Sequence, residues 1–315
     1  MRTPGQKYDI PLHFDLPGRL YHFARRMLLR GAHGLYVRFL VIPCLRNQEG
    51  LSDYFFTKLA FNSAIIADHQ MIYKVSLSKR STIEHEFRNY EKIRSDFPDL
   101  MEFMPNYRMQ RSSCVSYLSM NSYKPVSAEA SLEIAQGIYK KLRSGGRATT
   151  KLEIPDTDEI QAGLKLIASI YGDSAAHRVQ KIVAAFLDGG KYRIGLAHGD
   201  FHSRNILVDI HGNPRLIDLD CVRFRGIQDF DALYFVLELE WSISGTPWYE
   251  TIVNYLKGDI PESARSVFER FGIEYSHGLA VSCLIDRIGQ DYKKYELLLS
   301  RKYLDPIVDQ VLELE

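Results

Sequence analysis

The run His198-Gly199-Asp200-Phe201-His202-Ser203-Arg204-Asn205, followed by Leu216-Ile217-Asp218-Leu219-Asp220, constrains this chain more than any other stretch. After Asn205, Ile206-Leu207-Val208 is apolar and β-branched, His211-Gly212-Asn213-Pro214 is a turn cluster, and Arg215-Leu216-Ile217 resumes the apolar run. The pattern predicts a hairpin that returns Asp218 to the end of the ladder, beside Asn205. Two oxygen donors then converge, a pair suited to magnesium, which fills its other positions with water and phosphate oxygens. Asp200 precedes Asn205 by five residues, in a loop that follows the apolar Ile194-Gly195-Leu196-Ala197. There it can orient a substrate hydroxyl and accept its proton. A base, an Asn and a second carboxylate at these spacings suit phosphoryl transfer.

His198-Gly199-Asp200-Phe201-His202 with Asn205, then Ile217-Asp218, resembles the catalytic and metal-binding segments of the aminoglycoside phosphotransferase and choline kinase superfamily. Phe230-Asp231-Ala232-Leu233-Tyr234 is similar to that family's structural aspartate at the start of a helix. The resemblance implies an α+β, bilobal protein-kinase-like fold, with a small β-rich nucleotide lobe and a larger, mainly helical C-terminal lobe. It implies ATP and Mg2+ between the lobes, Asp200 as catalytic base, Asn205 and Asp218 as metal ligands, and a scaffolding role for Asp231. The histidine-glycine-aspartate opening, where protein kinases carry histidine-arginine-aspartate, points to the small-molecule branch. His198 belongs to the same supporting set. His202 is expected to pack in the loop, satisfied by backbone, and Asp220 either touches metal or bridges to Arg223 or Arg225.

Such a fold requires a nucleotide lobe ahead of this loop. Phe55 to Ala60 and Met71 to Leu77 read as strands, with Asp68-His69-Gln70 as a turn and Asn62-Ser63-Ala64 in the position of a phosphate-covering loop. That segment, from Ala60 to Ala64, lacks the glycines that usually allow close backbone approach to phosphates. Lys74 is the candidate clamp on the α- and β-phosphates. Residues 82–95 form a helix with Ile83, Phe87, Tyr90 and Phe97 on one face. Glu86 flanks that stripe and is the expected ion-pair partner of Lys74. Cys114 to Met120 resembles the strand leading to the interlobe hinge, which places Ser119 and Met120 at the adenine.

Helical periodicity covers 126–145 and 158–187, and after Asp231 the chain reads as mostly helical, with interruptions at Gly245-Thr246-Pro247 and Gly258 to Pro261. Glu238 and Glu240 there either meet a cationic or polyhydroxylated acceptor or are solvated helix positions. The first 48 residues carry Arg2, Lys7, Arg19, Arg25, Arg26, Arg30, Arg38 and Arg46 against Asp9 and Asp15. Interleaved with them are Leu20, Phe23, Met27, Leu28, Leu35, Phe39, Leu40 and Ile42. A basic amphipathic helix here either lies on an anionic membrane surface or packs on the nucleotide lobe with its arginines in water, and packing is the expectation. Nucleic acid is not expected, because no aromatic-interleaved basic stripe accompanies the charge.

With 315 residues, 45% hydrophobic and 25% charged, the chain can bury a core in each of two lobes. The widely spaced Cys44, Cys114, Cys221 and Cys283 form no metal-ligand pattern. Neither a secretory h-region nor an apolar run of ~18 residues is read, so a cytoplasmic location is expected, with contact at the inner face of the membrane as the alternative. The expected organisation is a basic extension over 1–48, a nucleotide lobe over 49–122 and a catalytic, acceptor-binding lobe over 123–315. The expected acceptor is a hydroxyl on a small molecule, such as an aminoglycoside, an amino alcohol or a sugar. A surface-glycan sugar such as lipopolysaccharide is the alternative, and an ATP-binding pseudokinase acting as an interaction module is a third reading.

Overall fold

A computed structural model of the chain describes residues 8–9, 31–51, 53–54, 56–59, 63–77, 82–111, 115–144, 147–148, 157–189, 192–295, 298–299 and 301–314. The fold is α+β and divides into two compact units. One unit comprises Leu16–Val126 and Arg204–Val222, and the other Met1–Asp15, Ser127–Ser203 and Arg223–Glu315.

The first unit is built on a five-stranded antiparallel sheet in the order Phe56–Leu59, Ser63–Ala67, Met71–Ser76, Ser116–Asn121, Arg108–Arg111. Met71–Ser76 is central, with Lys74 opposite Ile65 on one side and Leu118 on the other. Asp68 closes the preceding turn by accepting the N–H groups of Gln70 and Met71 at 2.8 and 2.6 Å. Side chains alternate across a strand, so burying Tyr73 and Val75 on one face sends Lys74 to the other.

The buried face is covered by helical turns from residue 31 to Glu49, in which a π-helical segment, Val37–Val41, runs into Ile42–Glu49 and ends at Gly50 with φ 70°. Val37, Val41, Ile42 and Leu45 pack with Ile66, Tyr73, Val75 and Tyr117 in one cluster. Fully burying an aliphatic side chain of this size is worth about 1.5–3 kcal/mol. The described part of the basic extension therefore packs on the sheet, as expected. Its buried stripe differs from the one read from sequence, because the wider π turn rotates it: Leu35, Phe39 and Leu40 are 60%, 65% and 49% exposed. The earlier residues of that amphipathic reading, 16–30, lie outside the described residues.

Two further expectations are corrected. Ser63 and Ala64 belong to the strand Ser63–Ala67 rather than to a phosphate-covering loop, since Ala64 and Ile66 are wholly buried between paired neighbours. Residues 60–62 of that loop, like Cys114 before the Ser116–Asn121 strand, lie outside the described residues. The single helical stretch read over 158–187 is two helices, Asp158–Tyr171 and Asp173–Gly189, parted at Gly172, whose φ of 87° a helix does not permit.

The second unit is mainly helical. It contains Gln228–Ser244, which is buried on every side from Gln228 to Leu239, its few polar side chains included. Trp248–Leu256, Glu262–Phe271 and Arg301–Leu312 belong to the same unit, and His277–Tyr295 packs most extensively against Asp158–Tyr171. A short antiparallel pair, Arg193–Ala197 with Arg223–Ile227, leads into the His198 to Asn205 segment. Among the described residues, no helix is long and apolar enough to cross a membrane.

Candidate active site

In the sheet-containing unit, the predicted hairpin forms with Ile206 opposite Leu216 and Val208 opposite Pro214. Beyond the ladder the Ile217 N–H donates to the Asn205 carbonyl at 3.0 Å, which brings Asn205 and Asp218 to the same end. Asp218 adopts φ 67°, the one positive φ outside glycine among the described residues. Aspartate tolerates this left-handed region better than most residues, but the conformation still costs about 1–3 kcal/mol and is held by its surroundings.

Those surroundings are a charged cluster. The Lys74 ammonium lies 2.6 Å from Glu86 Oε2 and 2.8 Å from Asp218 Oδ1. Glu86 reaches it from the helix Ile83–Asp96, which buries Ile83 and Tyr90 on the adjoining face. Burial works against the Lys74 charge, yet Asp218 and Glu86 hold its pKa well above the ordinary value. Burial pushes the Glu86 carboxyl up, and Lys74 opposes that shift. Tyr107 completes the arrangement: its hydroxyl donates to Glu86 Oε1 at 2.7 Å and accepts the Asp218 N–H at 3.3 Å.

Asp220 is buried and accepts the Thr82 hydroxyl at 2.9 Å. The Asn89 amide donates to the Leu219 carbonyl at 2.7 Å, fixing the helix to this turn. Arg223, one of the two expected partners of Asp220, instead meets Asp286 through both terminal nitrogens at 2.5 and 2.7 Å. Ser119 is paired on both sides, with Tyr73 and Arg108, and Met120 is paired with Ile72. Asn205 and Asp218 supply hard oxygen donors, and the Asp218 side chain is 37% exposed. The pair fits a magnesium ion that draws its remaining ligands from water and phosphate.

In the mainly helical unit, the loop bearing Asp200 is held from beneath. Asp231, in the first turn of Gln228–Ser244, accepts the N–H groups of His198 and Gly199 at 2.6 and 2.8 Å. His198 is buried and its Nδ1 accepts the Asp200 N–H at 3.3 Å. Phe201 is fully buried against Tyr139 and Phe235. The Asp200 carboxylate meets Arg287 Nη1 at 2.7 Å through Oδ1, and His202 Nε2 stands 3.4 Å from Oδ2. Burial opposes ionisation, but Arg287 and His202 hold the Asp200 carboxyl well below the usual carboxylate range.

Two expectations change here. His202 is not satisfied by backbone: one ring nitrogen faces Asp200, the other is buried without a hydrogen-bond partner, and the ring lies edge-on to Tyr234. Glu238 is neither solvated nor presented to an acceptor, because it is 2% exposed and receives the Tyr234 hydroxyl at 2.9 Å. Sequence reasoning passed over Tyr107, Thr82 and Arg287. A tyrosine at a strand approach, a helix-cap threonine and an arginine on a long helix carry no local signal of a distant partner.

The geometry has counterparts. Residues 150–253 match the phosphotransferase enzyme family. No curated protein sequence matches the chain. Among solved structures, choline kinase LicA from Streptococcus pneumoniae is similar at 11% identity, with 88% of this chain and 99% of that one covered and a TM-score of 0.55. A gentamicin complex of APH(2")-IIa is similar at 15% identity, covering 87% and 96% with a TM-score of 0.55. The aminoglycoside phosphotransferase APH(3'')-Id from Streptomyces rimosus gives 14% identity, 78% and 97% coverage and a TM-score of 0.50. The fold is therefore protein-kinase-like, and by its matching segment and its fold the chain resembles the superfamily of aminoglycoside phosphotransferases and choline kinases.

Proposed function

We propose that this chain is an ATP-dependent phosphotransferase that moves the γ-phosphoryl group to a hydroxyl of a small molecule. The observation that carries the reading is the Lys74 ammonium held by Glu86 and Asp218 together, from a strand, a helix and the turn after a hairpin. A lysine fixed in this way clamps phosphates without reorganising when they arrive. Ser119 and Met120 border the adenine. Asn205 and Asp218 would hold Mg2+, which when bound would neutralise charge on the transferring phosphates. Asp200 orients the acceptor hydroxyl and takes its proton, while Asp231 and His198 fix the loop that carries it. The acceptor is an aminoglycoside, an amino alcohol or a sugar-like compound.

A second reading has its own observation. Leu35, Phe39 and Leu40 are exposed beside the exposed Arg38 and Arg46, an apolar and basic surface that suits an anionic membrane and hence a glycan sugar carried on it. Co-sedimentation with anionic vesicles that persists after Phe39→Ser and Arg38→Ala would remove that support.

The test is magnesium-dependent ADP release from ATP across a panel of aminoglycosides, choline-like amines, free sugars and glycan extracts. Acceptor-stimulated release should fall at least about a hundredfold in Asp200→Ala and in Asp218→Asn, the scale of losing one preorganised electrostatic contact, ~10²–10³. Full activity in Asp218→Asn would sink the metal assignment. ATP binding without acceptor-dependent release would instead favour a pseudokinase that acts as an interaction module.

A further inference from the structure

The helix His277–Tyr295 presents successive turns to the loop that carries Asp200. Gln290 Nε2 donates to the Gly199 carbonyl at 3.1 Å, and one turn earlier Arg287 Nη1 meets Asp200 Oδ1 at 2.7 Å. Asp286, the neighbour of Arg287, anchors the same turn through its paired contacts with Arg223. The Arg287 guanidinium is itself pinned, with its carbon 4.3 Å from the centre of the Tyr234 ring and Asp291 Oδ1 3.7 Å from its Nε. Tyr234 is fixed in turn by its hydroxyl contact with Glu238. Asp200 and Arg287 are each 17% exposed, enough for a small molecule to reach the pair but too little for water to screen it fully.

We propose that Arg287 is the positioning residue of the transfer: it fixes the Asp200 carboxylate through Oδ1, opposite the edge that His202 faces, and so sets the direction in which that carboxylate meets the acceptor hydroxyl. This inference rests on the phosphotransferase reading above. A carboxylate free to rotate about its terminal torsion would offer either oxygen in many directions, and one donor 2.7 Å from Oδ1 removes that freedom. Arg287 and His202 face Asp200, Asp291 lies behind the guanidinium, and burial pushes the Tyr234 phenol well above its usual value.

A carboxylate so held has low proton affinity, which suits a loose transition state in which the nucleophile needs aim more than activation. In the transfer, the acceptor oxygen forms its bond to the γ-phosphorus as the bond to the β-bridging oxygen breaks. ADP departs with that electron pair, and the hydroxyl proton passes late to the Asp200 carboxylate and from there to water. Arginine is specified over lysine because the planar fork can bond the carboxylate and stack on Tyr234 at once.

Arg287→Met and Arg287→Lys separate the possibilities. With whichever acceptor the panel identifies, kcat should fall about 10- to 100-fold in Arg287→Met, the scale of a misplaced catalytic group. The KM for ATP should stay within about twofold, and the acid limb of the kcat profile should move to higher pH. Arg287→Lys, which keeps the charge but loses fork and stack, should restore the acid limb while kcat stays depressed. A 13C-carboxyl NMR titration of Asp200, assigned with Asp200→Asn, needs no acceptor. Asp200 should take up its proton at a clearly higher pH in Arg287→Met than in the native protein, because the guanidinium that favours the carboxylate is gone. An unchanged titration, or a kcat and acid limb that survive Arg287→Met, overturns the proposal. A panel without turnover would defeat the phosphotransferase reading, while the NMR arm would still decide whether Arg287 governs Asp200.

Discussion

Tyr107→Phe removes one oxygen from the charged cluster and nothing else, so its cost can be worked out contact by contact. The hydroxyl is buried, donates to Glu86 Oε1 at 2.7 Å and accepts the Asp218 N–H at 3.3 Å. Losing a donor to an ionised carboxylate costs about 1.5–3 kcal/mol, and losing the longer, neutral bond about 0.5–1.5 kcal/mol. Phenylalanine fills the same volume, so no cavity penalty is added. The expected loss of unfolding free energy is therefore about 2–4 kcal/mol, read by urea denaturation followed by circular dichroism. Burial already pushes the Glu86 carboxyl up, so removing its donor should raise that pKa further and weaken the hold on Lys74. In a cycle with Glu86→Gln, a coupling of about 1 kcal/mol or more is expected. A loss below about 0.5 kcal/mol together with no coupling would show that Tyr107 merely fills space, and the account of the cluster would fail.

Asp231→Ala strips the acceptor from the buried His198 N–H, at about 1–3 kcal/mol, and from the half-buried Gly199 N–H at less, partly offset because the burial that pushes the Asp231 carboxyl up no longer has to be overcome. A net loss of about 2–4 kcal/mol in urea is expected, with ADP release falling more than stability alone explains; wild-type turnover would refute the scaffold argument. Gly289→Ala would drive a Cβ into the Glu159 carbonyl where the helices His277–Tyr295 and Asp158–Tyr171 meet, for an expected cost of about 1–3 kcal/mol. Gly137→Ala, in an exposed helical position with open space around it, should stabilise by about 0.5–1 kcal/mol, and equal effects of the two changes on the thermal midpoint would contradict the close packing.

What the sequence disclosed depended on the range over which its signals act. The hairpin could be read because an apolar run, a Gly-Asn-Pro turn and a second run are adjacent, and a ladder has only one way to close on them. Lys74 and Glu86 could be paired because they lie 12 residues apart, on a strand and the helix that follows it, where alternation and periodicity fix both directions. The strand Ser63–Ala67 was missed because Asn62-Ser63 punctuates like a turn, and only pairing on both sides shows the short Ala-Ile-Ile-Ala run to be sheet. Arg287 stands 87 residues from Asp200 and Tyr107 stands 111 from Asp218, and neither residue type announces such a partner. Glu238 looked like a surface carboxylate because helix Gln228–Ser244 is buried on every side as far as Leu239 and its polar residues mark no outer face.

The exposure of the two carboxylates on Lys74 separates their parts in the proposed reaction. The Glu86 side chain is 2% exposed and bound on both oxygens, by Lys74 and by Tyr107, so leaving it unpaired would bury a charge without compensation. The Asp218 side chain is 37% exposed, and water can take over any contact it gives up. Asp218 is thus the carboxylate that phosphate oxygens would displace from the lysine at lower cost, and the one that would then be able to hold a cation. Glu86, held by Tyr107, would keep the ammonium in place through such an exchange.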